Sequence, residues 1–117
     1  MAYTTIDNPE LYFQVKLYTG NFSTRSITLD GSENMQPDMI WIKERDGTSS
    51  HALQDSVRGT GSKIMPNSSD AESTGETAYI TAFNSDGFSI GANNGINQDG
   101  ILNVAWCWKE SATAGFD

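Results

Sequence analysis

Ser50, His51, Asp55 and Ser56 carry the hydroxyl, imidazole and carboxylate of a hydrolytic triad within one short stretch. Neither serine sits in the glycine-flanked G-x-S-x-G turn that exposes a nucleophile. In an extended segment His51 and Asp55 share a face but stand roughly 13 Å apart at about 3.3 Å per residue, too far to hydrogen-bond. A surface or partly buried structural histidine is therefore the expectation. Asn97, Asp99 and Gly100 match the third, fifth and sixth places of an EF-hand loop, but Gly95 and Trp106 occupy its first and twelfth. The two strongest calcium ligands are thus missing, and turn chemistry accounts for the acids equally well. Gly59-Thr60-Gly61-Ser62-Lys63 has glycines and a lysine without the spacing, or the preceding apolar strand, of a phosphate-binding loop. Trp41, Trp106 and Trp108 have the amphipathic rings that stack on sugars. Their apolar flanks favour burial in the core instead.

The elements that position these residues read as strands. No segment keeps a helical period over three turns, whereas short apolar runs alternate with clusters of Gly, Asn, Asp and Ser. Asp7-Asn8-Pro9-Glu10, with a capping side chain, a proline suited to the first helical position and an acid in the first turn, predicts one helical turn at most. From 11 to 17 the alternation predicts a half-buried strand with Leu11, Phe13, Val15 and Leu17 inward. A short strand over Ser26–Leu29 stops at Asp30-Gly31. Met39–Lys43, apolar on both faces, predicts a central strand covered on both sides. His51–Val57 is weakly patterned, and 58–75 reads as a long surface loop in which Ser69–Glu72 has capping-box spacing for one more helical turn. Ala78–Phe83 and Phe88–Ile90 flank Asn84-Ser85-Asp86-Gly87 as a hairpin. The last strand, Leu102–Lys109, sets Val104, Trp106 and Trp108 on one face and Ala105 and Cys107 on the other, with the large rings turned to the core.

Size and charge narrow the function. The 117 residues suit one domain, taken as 1–117, and the composition is globular. A formal net charge of −8 with scattered Lys and Arg repels phosphate backbones and anionic membranes, so neither nucleic acid nor membrane insertion is expected. The lone Cys107 lies in an apolar run and reads as a small buried hydrophobe. The opening Met1–Thr5 lacks the features of a secretory signal, which implies assembly in a reducing cytoplasm. On that reading the sequons at Asn21 and Asn67 are chance.

The blocks Pro37-Asp38-Met39-Ile40-Trp41-Ile42-Lys43, Val57-Arg58-Gly59, Asp70-Ala71-Glu72-Ser73-Thr74, Phe83–Phe88 and Val104-Ala105-Trp106-Cys107-Trp108-Lys109 form a pattern, together with the opening Tyr3–Pro9. It resembles an uncharacterised domain of tailed-bacteriophage structural proteins, found in tail-fibre-like and other virion appendage chains. The likeness spans almost the whole chain. It implies a virion location, other virion proteins as partners, and continuation past Gly115-Phe116-Asp117 into a further β domain. It carries no catalytic residue to transfer. Asp55 or Glu72 pairing with Arg58 would pin the long loop.

The expectation is an all-β protein, an antiparallel β-sandwich of jelly-roll or lectin-like form with one or two single-turn helices. It serves as a structural module of a phage particle, homo-oligomeric because edge strands must be covered. No catalytic residue, metal or cofactor is expected. A head decoration protein is one alternative. A second is a carbohydrate-binding module contacting the host surface, with Tyr12, Tyr18, Phe22 and Tyr79 lining a groove near the Asn93–Asp99 loop. A glycan hydrolase would need two carboxylates facing each other across a cleft.

Overall fold

The computed structural model describes residues 8–110. The Tyr3–Asp7 part of the opening block and the Gly115-Phe116-Asp117 ending lie outside the described residues. Asn8 accepts a hydrogen bond from the Glu10 amide at 3.2 Å and opens a 3-10 turn over Pro9–Leu11, as the capping pattern predicts. Seven strands follow: β1 (Phe13–Thr19), β2 (Arg25–Thr28), β3 (Met39–Glu44), β4 (Ala52–Asp55), β5 (Ile80–Asn84), β6 (Gly87–Ile90) and β7 (Leu102–Trp108). They form two antiparallel sheets, ordered β1-β7-β3-β4 and β2-β6-β5. The fold is an all-β sandwich.

The three-stranded sheet is built on the predicted hairpin. The β5–β6 connection turns at Ser85-Asp86 between the paired Asn84 and Gly87, and a Cβ at Gly87 would lie 2.0 Å from the Ile27 carbonyl oxygen of β2. Only glycine lets β2 approach that closely. Ile27, Ile80, Phe88 and Ile90 of this sheet point inward, nearly all fully buried. Against them lie Ile40 and Ile42 of β3, Ala52 of β4, and Ala105 and Cys107 of β7. Met35, Leu29, Ile96 and Tyr18 close the ends.

In the four-stranded sheet the faces are the reverse of the sequence-based expectation. Cross-strand partners share a face, so Val15, Trp106, Trp41 and Leu53 form one row and Phe13, Trp108, Met39 and Asp55 the next. Leu17, Val104 and Lys43 form a third. All of these rows lie on the outer face, and the indoles are only half-buried. The core side instead carries Gln14, Cys107, Ile40 and Gln54 in one row and Ala105, Ile42 and Ala52 in another. The expectation that Trp41, Trp106 and Trp108 fill the core is therefore corrected, as is the expectation that β3 is covered on both faces.

The physical reason is a set of buried amides whose partners come from loops. Gln14 donates to the Glu10 and Glu33 carbonyls, both at 2.8 Å, and accepts from the Gly31 amide. Gln54 donates to the Thr60 carbonyl at 2.8 Å and accepts from the Ile80 amide at 2.9 Å, tying the two sheets together. A buried amide with all its partners in place contributes stability, while the same amide turned outward would leave those backbone groups orphaned.

The 58–75 segment is pinned more closely than a surface loop. Leu53 and Ile64 exchange both backbone hydrogen bonds, and so do Lys63 and Ser73. The bridge at Ser73 holds that stretch extended, so the helical turn expected at Ser69–Glu72 does not form.

Gln54→Leu keeps side-chain volume and removes both hydrogen bonds, stranding the buried Ile80 N–H. We expect a loss of about 1–3 kcal/mol in urea unfolding, against less than about 0.5 kcal/mol for the exposed Ser26→Ala.

Candidate binding site on the outer sheet face

The outer face of the four-stranded sheet is where the sequence-predicted functional residues meet, though not in the predicted roles. Trp41 and Trp106 are direct cross-strand neighbours, with ring centroids 6.1 Å apart and planes at 79°. Trp108 follows two residues along β7 on the same face and packs against Phe13 at 5.2 Å. His51, just before β4, stands 5.8 Å from the Trp41 ring and accepts a 2.9 Å hydrogen bond from its indole N–H through Nδ1. That bond requires an unprotonated Nδ1 and places the ring proton on Nε2. A shallow pocket of about 280 Å³ opens between Trp41, His51, Trp106 and Trp108, and its walls are almost wholly carbon.

Beside this pocket the aliphatic side chains of β1 and the start of β7 are open to solvent. Val15 is 44% exposed, Leu17 53% and Leu102 37%. Leu17 pairs with Val104 and Thr19 with Leu102, so these residues gather at one corner of the face. Contiguous apolar surface of this kind on a sheet marks an interaction site more often than it marks chance.

The triad residues do not assemble. His51 is committed to Trp41. Asp55 accepts from the Arg58 amide at 2.8 Å and pairs with its guanidinium at 2.7 Å. Burial works to raise the Asp55 carboxyl, but the bonds and charge of Arg58 outweigh it and hold the group below the usual carboxylate range. The Asp55 bond in turn raises Arg58, with Glu72 adding to it from 3.5 Å. Both expected partners of Arg58 are thus present, and together they anchor the long loop to β4.

Other candidates are spent on structure. Asn97 is fully buried, donating to the Ser23 and Gly91 carbonyls and accepting from the Asn21 amide, so it clamps two loops and leaves no oxygen for calcium. Lys63, at the end of the glycine stretch, is buried over the Tyr79 ring at 3.8 Å, with Glu76 at 3.6 Å. Tyr18 is buried in the core, where its hydroxyl donates to the Ile96 carbonyl at 2.7 Å. It is therefore no part of a sugar platform, and burial moves its phenol upward. Cys107 lies fully buried, its thiol pushed up to about 12 by desolvation. Among the described residues no three His, Cys, Asp or Glu side chains gather as a metal site.

A second hollow, of about 340 Å³, is polar and includes Glu10 and Asp30. Glu10 accepts from the Ser32 amide, and Asp30 pairs with Lys16 at 3.0 Å. The hydrogen bond and charge of Lys16 lower the Asp30 carboxyl.

Sequence reasoning missed Asp38 as an organiser. Its carboxylate accepts from the Glu110 amide at 2.8 Å and from the Ser56 hydroxyl at 3.3 Å, and its carbonyl accepts from the Ser56 amide. Asp38 thus locks the ends of β4 and β7 to the start of β3. Its place in the Pro-Asp-x-x-Trp block was the only sign.

In the comparisons, the model of a family described as a domain of unknown function (DUF7483) matches residues 8–116. No curated protein matches, and no solved structure does.

The Asp55 carboxyl is lowered in the folded chain, so its share of stability is present above the unfolded value near 3.8 and is lost as pH falls through the lower folded value. Asp55→Asn removes that share, so denaturation midpoints of variant and parent should differ at neutral pH and converge in acid. A gap that persists unchanged below pH 3 would contradict the linkage.

Proposed function

We propose that this chain, which belongs to the family of the domain of unknown function DUF7483, is a non-enzymatic structural module of a bacteriophage particle that docks against other virion chains through its outer sheet face. The observation that carries the docking reading is the exposed aliphatic corner of Val15, Leu17 and Leu102, continuous with a half-buried indole row on a sheet face that no other described element covers. Such a surface gains most by burial against a complementary protein surface, at about 25 cal/mol for each Å² of apolar area. The net charge of −8 supports a partner surface that is neutral or basic.

The virion setting is supported by the resemblance of the motif blocks, whose residues build the scaffold. Asp38, Arg58, Phe88 and the alternation of β7 serve the scaffold: a carboxylate that ties three strands, an ion pair that anchors a loop, a ring sealed in the core, and a strand with one dry face. A tail fibre or other appendage presents such a module in several copies about a symmetry axis. A head decoration protein uses the same kind of face.

A glycan-binding reading draws on the solvent-facing indoles. It is weakened by the pocket walls, which offer almost no polar atom to fix a sugar's hydroxyls.

Val15→Asp combined with Leu17→Asp places charge on two exposed positions. The isolated chain should fold with a change of about 0.5 kcal/mol or less per site. Mass spectrometry and cryo-EM of purified particles should find the parent chain in a fixed copy number and the variant strongly depleted. Absence of the parent from particles, or equal incorporation of the folded variant, would overturn the proposal.

A further inference from the structure

Beside the aliphatic corner, at the β3 and β4 side of the same face, the pocket between Trp41, His51, Trp106 and Trp108 has a chemistry of its own. We propose that it is a socket for a quaternary ammonium group of the choline type. This goes beyond the docking reading and stands or falls separately from it.

The first argument is geometric. Trp41 and Trp106 meet edge to face at 79°, so the rings that line the pocket do not make one flat platform. Trp108 continues along the same face of β7, and His51 closes the β4 side. At about 280 Å³ the hollow is just below the roughly 300 Å³ at which drug-sized sites begin, which suits one compact head group.

The second is chemical, and it proceeds by what the walls lack. A sugar needs donors and acceptors for its hydroxyls, whereas the wall of this pocket is almost wholly carbon and the Trp41 indole N–H is already given to His51. An arginine or lysine head carries N–H donors that would lose their water partners against carbon walls. A quaternary ammonium has a full positive charge and no N–H, so desolvation strands no donor. Its methyl groups would gain from contact with the electron-rich faces of aromatic rings, the interaction by which aromatic cages hold such cations.

The third is the field. The chain carries a net charge of −8, which raises the local concentration of cations and repels anions. His51 adds no positive charge while its Nδ1 accepts from Trp41. The carboxylate on this face nearest in sequence, Asp55, is already neutralised by Arg58 at 2.7 Å. Attraction therefore comes from the rings and the overall field.

The test is titration of the purified full chain at low salt, followed by tryptophan fluorescence and calorimetry. The probes are tetramethylammonium, choline, phosphocholine, ethanolamine, and the neutral isostere of choline in which a tert-butyl group replaces the trimethylammonium. Saturable binding of choline and tetramethylammonium is expected, with the neutral isostere and ethanolamine at least about tenfold weaker. Phosphocholine binding as tightly as choline identifies a phosphocholine head group as the source. Choline bound with phosphocholine rejected identifies a quaternary ammonium without a neighbouring phosphate. Trp106→Ala should weaken choline at least about tenfold, and Trp41→Leu should do the same, each checked by an unchanged unfolding transition. Equal binding of the neutral isostere, equal binding by folded variants of both tryptophans, or no saturation by choline at tens of millimolar would overturn the proposal.

Discussion

A strand's side chains alternate with a period of two, so the direction of one residue fixes the direction of all its neighbours along and across the ladder. In this molecule that choice is made by the amides of Gln14 and Gln54, which are buried with every partner supplied by a loop or by the opposite sheet. Slipping either strand by one residue would strand the Gly31 and Ile80 amides and turn two carboxamides into water. The same slip would bury Val15 or Leu53, but each would arrive in a site shaped for an amide. Once Gln14 and Gln54 face the core, the β7 register puts Ala105 and Cys107 inside and Trp106 and Trp108 outside.

The outer face follows from that constraint. Three tryptophans, Phe13, Val15, Leu17 and Leu53 stand on one side of a sheet whose other side is already sealed by the β2-β6-β5 layer. The rings shield one another in part: Trp41 leans on Trp106 and His51, and Trp108 on Phe13. Among the described residues the aliphatic corner has no such cover. A half-protected aromatic row beside an open aliphatic corner gives one face two chemistries, a carbon surface suited to another chain and a ring-walled hollow suited to a small cation.

Much of the fold was legible in the residues. Asn8-Pro9-Glu10 capped its turn, Asn84-Ser85-Asp86-Gly87 made its hairpin, Cys107 was buried, and Arg58 met both of its expected acids. What failed was the assignment of faces. On β1, β3 and β7 the large apolar side chains alternate with polar residues, small residues, isoleucines or Tyr18, and hydrophobicity alone sends the largest ones inward. The signal against this was Gln14 and Gln54, but their partners at Gly31, Glu33, Thr60 and Ile80 are loop or opposite-sheet backbone groups that no local pattern reveals. The site was misread for the same reason: the tryptophans were recognised as the chemically notable residues, and a reversed parity hid them in the core. The helical turn at Ser69–Glu72 failed because a tertiary bridge at Ser73 overrides a capping pattern.

The parity of the four-stranded sheet is most directly measured by thiol labelling of the native Leu17→Cys chain, with Cys107 as the internal control. Leu17 is 53% exposed on the outer face and Cys107 is fully buried on the inner one. The account predicts that the native protein takes one label, at position 17, within the mixing time of the reagent, and takes the second at Cys107 only on unfolding. Rapid labelling of Cys107 in the folded chain, with position 17 protected, would contradict it.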